Sequence, residues 1–564
     1  MKKLLIFLLI FSYNLAFASE FKPYISTFDN AKYKSNFQNF SYIDLKAKKG
    51  GVLRLASEGG FNSFNDFILK GLPAAGLDYL YDSLTEGSLN EISVRYPLIA
   101  KEIYLDENKK FIEFKLNEKA YFHDGVKITA DDVIFTFEKL INEGHPSYKM
   151  IFRDVLNVKK LGKYLVRFNF KNNQNRDLPI LISSLSILPK HYWQNIDFSK
   201  TSITPPIGSG PYKIKSFSVN KNVTYERVKN YWAKDLPINR GRYNFDEISF
   251  DYYRDNNVLI EAFKGQKYDL RQENIARNWA NAYNIDAVAN GEIIKKEIRH
   301  YLPAPIQAFI LNLRKDKFQN LALRKAMNYA FEFEWLKNHI FYGSYKRTKS
   351  YFENSEFSSG LDLIPTSNGD GFNRKNLISA KEILEDAGYK VVSQKLIDPK
   401  TKKPVEVEFL TDSKSFEMVI MPFIKNLKKL GINAKLRLVE ENQYQTRINN
   451  FDFDVIVALF GQSQIPGNEL FSYFHSSQKD VKGSRNLMGI ANKKIDNLVE
   501  KIIKTNDKTT LINLCKKLDE ELLTNYYAIL QWHNNSYRIL YRDIFAFPKN
   551  QPKYSLALDS WWIK

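Results

Sequence analysis

Runs of strict apolar–polar alternation recur along the whole chain, and capped helical segments separate them. No other feature constrains the fold as much, because strands and helices in alternation must form layers to bury their apolar faces. Residues 110–116 (KFIEFKL), 166–170 (VRFNF), 405–410 (VEVEFL) and 434–439 (AKLRLV) carry the period of two that marks a half-buried strand, and 51–56 (GVLRLA) reads as another. Thr129, with Asp132 three residues on, makes a variant capping box ahead of Val133, Phe137, Leu140 and Ile141 on one face. Ser379 with Glu382 predicts a second helix start, closed by Gly388, and the helix ending near Leu430 closes on Gly431. Leu321 to Asn338 predicts one long amphipathic helix without a breaker. The expected class is α/β.

A single hydrophobic core stops growing near ~250–300 residues, so two large lobes are expected of this chain. Lys2 and Lys3, the apolar run Leu4 to Phe11 and the small-x-small box Ala16-Phe17-Ala18 have the layout of a secretory signal peptide over residues 1–18. The apolar run is shorter than the ~20 residues that span a bilayer. The mature protein is therefore expected in the periplasm, without stable membrane insertion. Cys515 is the only cysteine, so no intrachain disulfide can form, and its helix-like surroundings predict a buried thiol. The net charge of +20 is spread among acidic residues, and with export it argues against a nucleic-acid partner.

Motifs of catalysis are absent. None of the seven histidines forms H-E-x-x-H or another close ligand pair, and one cysteine excludes thiolate metal sites. Neither a phosphate loop nor G-x-G-x-x-G occurs. Gly208-Ser209-Gly210 departs from a serine elbow, since Pro206 stands where the first glycine belongs. No catalytic residue, metal or cofactor is expected, and a secreted hydrolase stands as the alternative of another class.

Several segments, in order, resemble the family 5 extracellular solute-binding proteins, which include oligopeptide- and dipeptide-binding proteins. They are Phe114 to Gly125 with its Phe-His-Asp-Gly turn, Ile128 to Phe135, Gly208-Ser-Gly-Pro-Tyr-Lys213, Asn230-Tyr-Trp232, Asn312-Leu-Arg314 with Leu323 to Ala330, and Ala380 to Tyr389. His123 reads as scaffold. Residues 67–76, Arg271-Gln-Glu-Asn274 with Asn278-Trp279, 350–355 and 483–487 are similar to the YejA-type branch.

The resemblance implies a type II periplasmic binding protein fold, two lobes with an inserted subdomain. Residues 19–82, 206–300 and 534–564 would form the first lobe, 83–205 the insert and 301–533 the second lobe. The implied function is capture of short peptides or peptide-like ligands for the inner-membrane permease of an ABC importer, by a monomer. Murein peptides or peptide-nucleotide conjugates are the alternative cargo. Lys70, Gly71 and Leu72 match one ligand-pairing segment, and Phe460, Gly461, Gln462, Ser463 and Gln464 the other. Both glycines are expected to admit close backbone approach. Relatives place an Asp after the second segment, whereas 462–466 hold no carboxylate. Neutral acceptors or Glu273 are expected to hold a ligand amine, or Lys70 and Arg485 a ligand anion. Asn486, Trp532, His533, Asn278 and Trp279 complete the expected site.

Overall fold

Period-two patterning decides the second lobe. Its five-stranded sheet runs in the order Asn433–Leu438, Glu406–Thr411, Val455–Phe460, Ile306–Leu311, Ala528–Leu530. Along Ile306–Leu311, Phe309 and Leu311 enter one apolar cluster while Ile306, Ala308 and Ile310 enter another on the opposite face. Both faces are covered by helices, the three-layer arrangement expected of strands alternating with helices. The computed structural model describes residues 21–28 and 31–564, so the expected signal peptide lies outside the described residues. No helix among the described residues is long and apolar enough to cross a membrane.

In the first lobe, Val52–Glu58 lies parallel to Glu247–Tyr253, which continues antiparallel through Asn222–Arg227 to Tyr212–Ser218. The insert contributes an antiparallel sheet in the order Ala100–Leu105, Phe111–Leu116, Leu165–Phe170, Val155–Gly162. Its inward residues Phe114, Val166 and Phe168 share one continuous core with Leu53 and Tyr225 of the first lobe. Helix Ala130–Glu143 begins with the capping box the sequence predicts, Thr129 N–H donating to Asp132. His123 braces the loop at Gly208–Gly210: Nδ1 accepts from Gly208 N–H, and Nε2 lies 2.9 Å from Gly210 O. Cys515 is fully buried in helix Lys508–Thr524, and burial pushes its thiol up.

Two helix expectations need correction. Helix Arg374–Asp386 starts after Asn373, five residues before Ser379, which is therefore interior. The stretch from Leu321 is two helices, Leu321–Ala330 and Phe333–His339. Phe331 turns extended between them, 2% exposed, and packs on Phe309 and Phe423. Glu332 accepts from Gly371 N–H and Ser367 Oγ–H. Tertiary packing overrides the helical period at that point.

The chain runs twice, side by side, between the sheet that holds Ile293–Arg299 and the five-stranded sheet. Ile293–Arg299 pairs antiparallel with Ser536–Arg542, Arg299 opposite Ser536, and His300 N–H donates to Asn535 O at 2.9 Å. Two adjacent crossings are the layout of a hinge.

At the join of first lobe and insert, Asp82 is 4% exposed and accepts from Tyr231 Oη (2.7 Å) and Trp232 Nε1 (2.8 Å). Burial outweighs these bonds and pushes its carboxyl up to about 7 from 3.8. A raised carboxyl binds its proton more tightly folded than unfolded. Its contribution to stability is therefore complete below pH ~4 and lost as pH rises through ~7, roughly 2–4 kcal/mol in all. Chemical denaturation at pH 4, 5.5 and 7 should show Asp82→Asn flattening that part of the profile. A profile parallel to wild type would assign the slope elsewhere.

Candidate functional site

Strand Val455–Phe460 supplies an open backbone edge. Asn312 N–H donates to Asp454 O, which fixes the hydrogen-bonded pairs of the antiparallel ladder as 310/456, 308/458 and 306/460. Residues 457, 459 and 461 therefore direct their N–H and C=O groups the other way. On that side Glu406–Thr411 pairs only as far as Leu410 opposite Ile456. The carbonyls beyond receive side-chain donors: Tyr444 Oη on Val457 O (3.2 Å), Arg485 Nη2 on Leu459 O (2.7 Å) and Tyr473 Oη on Gly461 O (3.1 Å). Each carbonyl has a second lone pair, so an extended chain can still join this edge.

The strand runs into a loop that lines two cavities between the lobes. One, of about 1030 Å³, has Met150, Asp177 and Leu181 of the insert facing Ser463, Gln464 and Glu469. The other, about 730 Å³, sets Glu91 and Tyr554 against Glu353 and Gln464. Arg176 of the insert reaches across. It donates to Pro466 O (2.9 Å), Ile502 O (3.2 Å) and Thr505 O (3.3 Å) while Asp177 holds it at 2.9 Å.

Residues 95–482 match the bacterial extracellular solute-binding proteins, family 5. The chain belongs to this family. The probable peptide-binding protein YejA of Agrobacterium fabrum is 35% identical over 95% of this chain and 93% of its own length. The peptidoglycan-binding protein YepA of the same organism is 32% identical over 95% of this chain and 94% of its own. Among solved structures, the oligopeptide-binding protein AppA from Bacillus subtilis, in complex with a nonapeptide, matches with TM-score 0.66 at 21% identity, covering 92% of this chain and 100% of that one. The fold is the two-lobed type II binding fold, and a family 5 solute-binding protein is a binder rather than an enzyme.

The expected site residues differ in exposure and in the partners they already hold. Gly461 is exposed, and a Cβ there would meet nothing within 4 Å. Ser463 is exposed, Gln464 lines both cavities, and Gln462 Nε2 donates to Tyr351 O. Gly71 is a correction: its φ of +88° and Thr201, whose Cγ2 lies 2.4 Å from a built Cβ, require glycine for the fold. Leu72 is another. Its N–H donates to Asn62 Oδ1 and its carbonyl accepts from Asn62 and Ser63 N–H, so its backbone is engaged within the fold while its side chain is exposed. Lys70 is exposed beside it.

Phe460 is a correction: its side chain is fully buried and its backbone faces Ile306, so it does not reach the open edge. Asn486 is also fully buried and spends its amide on His475 O and on Ile490, which removes it from the contacts. Glu273 is 2% exposed, and Arg271, Tyr283 and Ile275 N–H consume its carboxylate, so it holds no ligand amine. Arg485 is exposed but stacks on Phe460 while capping Leu459 O. His533 is buried, with Nδ1 3.1 Å from Thr348 Oγ1; burial, then Lys346, pulls it down to about 4, so it is neutral at pH 7. Trp279 is half-buried under Lys295, and the neighbouring Asn278 is half-buried. Trp532 forms a half-buried aromatic wall with Phe341 (4.5 Å), Tyr345 and Phe416 (both 6.2 Å).

A carboxylate that the sequence did not single out lies beyond the loop. Glu469 accepts from Gly467 N–H (3.1 and 3.2 Å) and from the Ser463 hydroxyl, inside the larger cavity; burial raises its carboxyl. Its place in sequence, three residues past Pro466, gave no sign of this.

Proposed function

We propose that the protein captures short peptides or peptide-like ligands between its lobes and delivers them to the inner-membrane permease of an ABC importer. It acts as an exported monomer, its signal peptide cleaved after residue 18. The open strand edge at 457–461 carries this reading, because an extended main chain is the ligand such an edge pairs with. The likeness to a probable peptide-binding protein supports the same cargo. A second reading, peptides released from peptidoglycan, is favoured by the 32% identity to a peptidoglycan-binding protein.

Calorimetry with tetra-alanine and with a murein tetrapeptide, each followed by mass spectrometry of the recovered ligand, tests both. Saturable binding of intact tetra-alanine supports the first reading, and binding of the murein peptide alone supports the second. Cleavage of either ligand, or binding of neither, would remove the proposal.

A further inference from the structure

Six arginines are buried among the described residues: Arg176, Arg242, Arg271, Arg324, Arg347 and Arg538. Five of them have protein acceptors. Arg176 binds three carbonyls, Arg242 pairs with Asp559 and Glu86, Arg271 pairs with Glu273, Arg324 binds carbonyls of Phe318, Gln319 and Asn525, and Arg538 bonds Ser344 O through Nη2, with Glu297 3.6 Å from an Nε that, like Nη1, makes no hydrogen bond. Arg347 differs. It is 9% exposed, and neither Nε, Nη1 nor Nη2 has a hydrogen-bond partner among the described residues. Its guanidinium lies 4.6 Å over the Phe331 ring and 5.8 Å from that of Phe333.

No carboxylate among the described residues bonds it. Glu334, whose field it feels, is engaged by Ser367, as is Glu332. Burial pulls the guanidinium down to about 9, which still leaves it charged at pH 7. A buried cation with five unused N–H donors is costly, and buried polar groups are nearly always bonded. Position adds to this. Arg347 stands directly opposite Trp532 in the short ladder Lys346–Arg347/Trp532–His533. Directly opposed residues project from the same face, so Arg347 and Trp532 share one face of that ladder.

We propose that Arg347 is a ligand anchor, binding a carboxylate of the captured molecule as bidentate fork while the Trp532 wall packs on the apolar part beside it. This deepens the peptide reading and rests on it. The carboxylate can be a peptide's C-terminus or an acidic side chain, and the fork geometry serves either.

Calorimetry with tetra-alanine, tetra-alanine amide and Ala-Ala-Glu-Ala amide separates these sources. With wild type, the plain amide should bind about tenfold or more weakly than tetra-alanine. If the side-chain carboxylate also serves, the glutamate peptide recovers that loss; if it does not, the C-terminus is the source. Arg347→Met should bind all three alike. In ligand-free protein the same variant should melt higher than wild type, because an unpaired charge is replaced by an apolar group of similar length. Wild-type affinity that ignores all carboxylates, a preference retained in Arg347→Met, or a lower melting temperature in that variant would each overturn the anchor. Should wild type bind none of the three, the peptide reading falls, and the melting comparison still decides whether Arg347 is an unpaid charge.

Discussion

Replacing Arg176 by alanine should weaken ligand binding about a hundredfold or more. The side chain is 1% exposed, is stacked 5.0 Å from the Phe28 ring, and donates to three carbonyls of the second lobe. Ile502 lies in the last turn of helix Lys493–Lys504 and Thr505 caps it, where unpaired carbonyls concentrate partial negative charge. We propose that the insert, which carries Arg176, and the lobe that carries all three acceptors move as separate bodies. These bonds therefore exist only while the lobes are together, and each hydrogen bond to a charged group is worth about 1.5–3 kcal/mol, not additively. Their loss should appear as a weaker grip rather than an unfolded lobe. Arg176→Lys should recover little, because one ammonium cannot span three divergent carbonyls. Calorimetric affinity paired with the radius of gyration from X-ray scattering, with and without ligand, measures both parts. An Arg176→Ala protein that melts lower yet binds as tightly as wild type would make Arg176 a brace of the fold and not of closure.

What the sequence revealed, and what it hid, divides by how local the cause is. The capping box at Thr129 and Asp132 and the left-handed glycines Gly388 and Gly431 act within one turn of helix, and each is where the pattern put it. Period-two strands were equally legible, because a side chain's face follows from backbone geometry alone. The break at Phe331 was not, since its cause is packing on Phe309 and Phe423, which arrive from elsewhere in the chain. The site shows the same split. Gly71 and Gly461 look alike as letters, yet one missing Cβ faces Thr201 and the other faces open space. Glu273 looked available and is consumed by Arg271 and Tyr283, whereas Arg347 carried no motif and is the buried arginine left without an acceptor. Partnership among polar groups is tertiary, so sequence names the candidates but not who is already engaged.

Gly461→Val should abolish peptide binding, by about a hundredfold or more, and leave thermal stability unchanged. The two halves of that expectation come from one observation. A Cβ at 461 meets nothing within 4 Å and the residue lies outside the left-handed region, so a β-branched side chain fits the fold without strain. That side chain projects from the sheet face, at right angles to the hydrogen-bonding direction, so it acts by crowding the ligand side chain that would stand beside it when a ligand strand joins the edge. Tyr473 on Gly461 O and Arg485 on Leu459 O already narrow that edge, which leaves an incoming chain no room to shift sideways. Gly461→Ala, with one methyl group, should fall between valine and wild type. Arg485→Ala should relax the edge rather than block it, giving a smaller change than either. If Gly461→Val binds tetra-alanine as wild type does, the ligand is held by side chains alone, and the open end of Val455–Phe460 is an edge strand without a guest.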